Sequence, residues 1–406
     1  MAPSDAELDR ARALLRDTGG AAPDWPAEPA AVVALGWALK AACYETWNTE
    51  PGLAGRAAAL LGGLAEAREP PVLAALADWT AGIAALGAGR MADALAALDR
   101  AAAGFEALGD PDHAAQTQVP KLMALSVLGR HDDALACAEA TLARFVAVGD
   151  ERSAGKIELN LGTLLFRQDR HADAARRYRS AAERFARVND VEQSITADIG
   201  LANALTWQFE FDAALRINRQ ALERADAHGY PVLAAQARGS IGQLELNRGQ
   251  PQRALPELAA ACRLFEQVGS FPQRLAEAEI SLADAYLAVN LLPEAVALYD
   301  RVVARCLADD IPTELARARL QRAQAHARLG DAAAADADLA AAQALFEAQD
   351  NPASAALAGL QQATLKLQRG EADAARADAD AAAAALATAG IPGWRCEAEV
   401  LAAEAD

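Results

Sequence analysis

The residues able to do covalent or metal chemistry are few and scattered. Five histidines stand at 113, 131, 171, 228 and 326, and five cysteines at 43, 137, 262, 306 and 396. A zinc site needs thiolates or imidazoles at close, fixed spacing, so that one turn or one helix face delivers two ligands. No C-x-x-C or H-E-x-x-H spacing occurs, and neither does a G-x-S-x-G elbow, a P-loop or a G-x-G-x-x-G turn. His131 and His171 lie 40 residues apart at one point of a repeating pattern, which fits a place on a helix surface. The lone cysteines read as small core residues in a reducing compartment. No enzyme activity, metal or cofactor is expected.

Charge removes further classes. The formal net charge is −18 and the pI about 4.8. A nucleic-acid partner demands a basic face, and an anionic membrane attracts polybasic segments. Neither partner is expected. The first 20 residues are acidic with no apolar h-region, and no apolar run reaches membrane length. The expected location is the cytoplasm.

The remaining chemistry is that of amides, hydroxyls and arginines, and a repeat decides where they stand. Alanine recurs at 94, 134, 174, 214, 254, 295, 335 and 375, in steps of 40 residues with one of 41. A second landmark follows each time, as in Phe105 to Asp110, Phe145 to Asp150, Phe185 to Asp190, Phe265 to Ser270 and Phe346 to Asp350. A fixed period of this length marks a solenoid. In residues 151–190 the apolar Ile157, Leu161, Leu164, Leu165 and Phe166 have helical spacing. A break at Asp169-Arg170, or at Gly89, Gly129, Gly249, Gly330 and Gly370 in other copies, ends the first helix. Glycine suits the left-handed position past a helix end. A second helix then runs to the next break, where an Asp or Ser caps the following helix. Pro111, Pro231, Pro272, Pro312, Pro352 and Pro392 stand at or near first turns, where a missing N–H costs little. Pro120 lies inside a first helix, which predicts a bend or a late helix start there.

These residues resemble the tetratricopeptide repeat. Leu161, Gly162 and Leu165 match its first-helix signature, and Ala174, Tyr178 and Ala181 its second; Leu282, Ala283, Tyr286, Ala295 and Tyr299 do the same in 276–310. The resemblance covers about four-fifths of the chain and is to the long-repeat branch, since the unit exceeds the 34-residue norm by about six. It lacks the usual proline near the end of the second helix. It implies an all-α fold, a right-handed superhelical solenoid of antiparallel helix hairpins. The expected organisation is an N-terminal part with a degenerate capping hairpin over 1–70, eight repeats over 71–390, and a capping helix or the start of another repeat over 391–406. Trp25, Trp37, Trp47 and Trp79 gather near the first end, read as a large-residue cap rather than a ligand pocket.

The same resemblance implies that first helices line a concave face. Counted from the repeat alanine, its places fall on Lys156, Asn160, Thr163 and Arg167, then Thr196, Asn203 and Trp207, then Gln236, Ser240, Gln243 and Asn247. Glu277, Ser281 and Asp284 follow, then Arg317, Gln321, Gln324 and Arg328, and last Gln361, Thr364 and Gln368. Amides donate and accept, so they suit an extended peptide backbone; Arg forks a carboxylate. Earlier units show apolar residues such as Trp79 and Met123 at these places, which puts the polar groove at 156–330. The family's chaperone-binding clamp is not expected, because Leu159 and Gly200 stand where it needs Lys and Asn. The function implied is a non-enzymatic scaffold for a protein or peptide partner. The alternatives are the sensory or inhibitory part of a larger effector system, such as a CHAT-type protease or a transcription regulator, and a small-molecule sensor near Trp79 and Trp207.

Overall fold

A computed structural model describes residues 3–17, 23, 25–269, 271–349, 351–388 and 392–405. Most of the linker from Thr18 to Pro26, and Ser270, Asp350 and Ile391, lie outside the described residues. Every regular element among the described residues is an α-helix. The helices divide into two units, residues 1–210 and 211–406. The division falls inside the stretch 191–230 read as one repeat.

The first unit holds α1 Asp5–Arg16, α2 Pro29–Thr46, α3 Pro51–Ala67, α4 Val72–Gly87, α5 Met91–Ala107, α6 Pro111–Val127, α7 His131–Val148, α8 Glu151–Arg167, α9 His171–Arg187 and α10 Val191–Trp207. Each helix packs on the next, and α2, α4, α6, α8 and α10 also pack in succession on one another. No two of the alternate helices α5, α7 and α9 pack so closely. The even-numbered helices are therefore the inner layer of this unit and α5, α7 and α9 the outer.

The second unit holds α11 Phe211–His228, α12 Pro231–Asn247, α13 Pro251–Val268, α14 Pro272–Ala288, α15 Leu292–Ala308, α16 Pro312–Leu329, α17 Ala332–Ala348, α18 Pro352–Gln368, α19 Ala372–Thr388 and α20 Pro392–Glu404. The same rule holds, with α12 against α14 and α14 against α16. The last helix, α20, lies on α19 and α18.

The repeat alanines are the close contacts of the ladder: all eight, from Ala94 to Ala375, have no exposed surface. Glycine does the same work where an aromatic ring crosses. A Cβ on Gly162 or on Gly200 would come within 2.7 Å of the Tyr178 ring, so α9 wedges its ring between the backbones of α8 and α10. Breaks between helices use left-handed backbone, by Gly at 89, 129 and 249 and by Asp169, Asn189 and Asn290 elsewhere. Asp110, Asp150, Asp190 and Asn351 then accept from the backbone N–H three residues on. Each satisfies one of the spare donors of a first turn. α6 differs from the expectation of a late start. It begins at Pro111 and runs through Pro120 to Val127, although it packs less closely on α7 than the neighbouring inner helices do on their partners.

Candidate functional site

The inner face of the first unit contains a hollow of about 190 Å³. Its floor is apolar: Leu122, Met123 and Val127 of α6, Ala138 of α7, and Leu161 and Leu164 of α8. Ser126, Asn160, Thr163 and Arg167 also line it. The loose α6–α7 packing explains the space, since a proline in mid-helix removes a backbone donor and crowds the preceding turn. Val127 is 50% and Met123 39% exposed, so the apolar floor is open to solvent.

The polar groups are held in place. Asn160 donates to the Val119 carbonyl at 3.4 Å and so ties α8 to α6. The Tyr178 hydroxyl donates to Thr163 Oγ1 at 3.1 Å, while Thr163 donates to Leu159 O. Arg167 occupies the last turn of α8, where a cation is favoured by the helix dipole.

Three of the residues picked out in the sequence, Asn160, Thr163 and Arg167, thus come together. Lys156 is exposed on α8, four residues before Asn160. Asn203 is half-buried on α10, and Trp207 is 61% exposed, its ring stacked on His171 at 5.5 Å. The groove expected from the sequence begins at residue 156 and leaves out the apolar places of α6. Yet Met123 and Val127 stand one 40-residue step before Thr163 and Arg167, and they supply the floor. That step was the available signal. Trp79 is not part of an open site: it is buried, edge-on to Trp37 and Phe105 in the first unit's core.

In the second unit the other residues stand apart by role. Gln243 donates to Asn247 at 3.2 Å, and Gln236 is half-buried on the same helix. Arg328 donates to the Leu287 carbonyl at 2.9 Å and to Asn290 Oδ1 at 2.8 Å, so it straps the end of α14. Gln321 and Gln324 are half-buried and Arg317 exposed on α16. Burial pushes the Asp284 carboxyl up, while the Tyr299 hydroxyl that donates to it and the nearby Arg317 charge pull it down.

Among the described residues no cluster of three His, Cys, Asp or Glu is placed to hold a metal. Among the same residues no helix is long and apolar enough to cross a membrane.

A ladder of antiparallel hairpins with small residues at the crossings and an inner layer of first helices is the tetratricopeptide-like fold. Solved structures agree. A Rap protein complexed with competence and sporulation factor matches with 15% identity and a TM-score of 0.60, over 91% of this chain and 98% of that one. Aspartyl phosphate phosphatase F from Bacillus subtilis matches with 12% identity and a TM-score of 0.56, over 90% and 96%. NprR in complex with its cognate peptide NprX matches with 15% identity and a TM-score of 0.50, over 74% and 86%. Neither a protein-family model nor a curated protein sequence matches the chain.

Proposed function

We propose that this protein is a binding scaffold that holds a peptide or an extended segment of a protein partner on the inner face of its first unit. The observation that carries this reading is the hollow between α6 and α8, with its apolar floor and Asn160, Thr163 and Arg167 around it. An apolar side chain fills the floor, Asn160, whose amide also ties α8 to α6, stands beside the partner's backbone, and Arg167 fixes register. The size of the hollow, about 190 Å³, suits one side chain. Pockets for small ligands run to roughly 300–1,000 Å³, so a segment anchored by a side chain is favoured over a small-molecule sensor. NprR, of the same fold, is a complex with a peptide, which supports the same class of partner.

The test is affinity capture from the source cells with wild-type protein and with Val127→Asp. The substitution puts a charge on the exposed floor without touching the buried contacts. Loss of a partner that the wild type retains supports the reading. Equal capture by both proteins counts against it.

A further inference from the structure

Three successive inner helices of the first unit end at one repeat place. α6 ends at Val127, α8 at Arg167 and α10 at Trp207, each one 40-residue step after the last. α6 packs on α8, and α8 on α10, so the three residues stand in a row across the inner layer. The first two line the hollow. The third lies beyond it.

Trp207 is exposed and yet fixed. Its ring stacks on His171 at 5.5 Å with 16° between the planes, and Phe166 packs edge-on against the same His171 ring at 5.1 Å. The Gln208 amide donates to the His171 carbonyl at 3.3 Å and to the Ala204 carbonyl at 3.1 Å. Ring contacts and amide together hold the end of α10 against the start of α9. Phe166 is the chain neighbour of Arg167, so this platform adjoins the wall of the hollow. An aromatic ring held in place beforehand loses little freedom when a partner covers it.

Phe209 extends the platform. It is 78% exposed and has left-handed backbone, with φ 61°. Among the described residues every other left-handed position is Gly, Asp or Asn. For an aromatic residue that conformation is strained. Phe209 and Trp207 are also the most exposed large apolar side chains among the described residues. A ring so little buried gives the fold little in return for its strain, which indicates a use outside the fold.

We infer that Trp207 and Phe209 form a second anchor place, which takes an aromatic side chain of the partner segment, and that a carboxylate between the two anchors meets Arg167. The inference rests on the inner-face reading above and adds the partner's motif. Arg167 is exposed and, among the described residues, pairs with no carboxylate. Its charge favours an acidic residue over it and disfavours a basic one on the neighbouring indole. The net charge of −18 limits this to a single acid rather than an acidic run. Packed helices lie roughly 8–10 Å apart. The hollow between α6 and α8 is therefore about one and a half spacings, or about 12–15 Å, from α10. An extended segment covers that in about four residues at roughly 3.3 Å each.

Six tryptophans make the platform visible. In protein carrying 5-fluorotryptophan each gives a ¹⁹F signal, assigned by single Trp→Phe exchanges. N-acetylphenylalanine amide is titrated in, with N-acetylalanine amide as the parallel arm. The Trp207 signal should move with the aromatic probe alone, while that of buried Trp79 stays in place. No movement at Trp207, or equal movement at Trp394, which is 45% exposed on α20, overturns the inference.

An immobilised library of acetylated, amidated nonapeptides tests the motif. Each carries a Leu anchor, a Phe two to seven residues further on and a Glu between them; parallel sets replace Phe by Ala or Arg, or Glu by Gln. Binding should peak with Phe about four residues from Leu and exceed the Ala set by about tenfold, the scale of a stacked and buried ring. Trp207→Ala should erase that gain, Arg167→Gln should erase the preference for Glu over Gln, and Val127→Asp should abolish binding altogether. Phe209→Gly should weaken binding of the Phe set and raise the urea midpoint, since it relieves the strain. A lower midpoint with binding unchanged, an Arg set that binds better than the Phe set, or binding indifferent to the second anchor overturns the inference and leaves the peptide-binding reading standing. No binding of any peptide overturns both.

Discussion

In Gly200→Ala the new methyl lies 2.7 Å from Cε1 and 2.8 Å from Cδ1 of Tyr178. Carbon atoms in contact prefer about 3.5–4.0 Å, so roughly 1 Å must be found. The ring cannot retreat toward α8, because its other face lies against Gly162, where a Cβ would also come within 2.7 Å. Its hydroxyl is tied to Thr163 at 3.1 Å. The backbones of α8 and α10 must therefore part. Overpacking of this kind costs about 1–3 kcal/mol. The exchange also removes a mid-helix glycine, which alone stabilises by about 1 kcal/mol. The net expectation is a loss of up to about 2 kcal/mol in wild type. In a Tyr178→Ala background the clash is gone, and the same exchange should stabilise by about 1 kcal/mol. The assay is urea unfolding of the four proteins of this double-mutant cycle, with hydrogen exchange reporting on α8 to α10. The sign should reverse between backgrounds, with a coupling of about 1–3 kcal/mol. Equal stabilisation in both backgrounds refutes the wedge.

Two further outcomes follow from the same contacts. Lys40 titrates near 8 in the folded protein against an ordinary value of 10.5. Between those values the unfolded chain binds more protons, so wild-type stability rises with pH there, by less than about 1.4 kcal/mol per unit. Lys40→Met should thus unfold at higher urea than wild type at pH 7, and that advantage should shrink by pH 10; a pH-independent difference contradicts the assignment. Arg328→Ala should speed hydrogen exchange at the end of α14, where the guanidinium accounts for the Leu287 carbonyl and Asn290, and leave binding at the first unit unchanged. A binding loss without faster exchange would return Arg328 to the groove.

The period of 40 was legible because one residue type recurs where backbones touch, and all eight repeat alanines are buried. Tyr178 and Gly162 matched the repeat signature, but Gly200, 38 residues on and so off the 40-residue step, joins them only in the structure, where the ring lies against both glycines. The face carrying Asn160, Thr163 and Arg167 followed from the resemblance, which implies the lining places, counted along the repeat register. What register does not reveal is how each side chain is used. Arg328 occupies the place of Arg167 four steps on, yet two acceptors at the end of α14 are within its reach and engage it. Gln243 finds a neighbour on its own helix in Asn247. The hollow is not legible in the sequence, because its apolar half comes from α6 and its polar half from α8, and neither half alone has the character of a site.

The central claim is that a partner segment lies in the α6–α8 hollow, and a position-specific crosslink tests it most directly. A benzophenone amino acid is placed at Val127, on the floor, or at Arg176, exposed on the outer helix α9, and each protein is irradiated in its source cells. The account predicts one dominant crosslinked partner at 127, absent at 176 and lost when Arg167→Ala is added. Crosslinking that is equal at the two positions, or found at 176 alone, would contradict it.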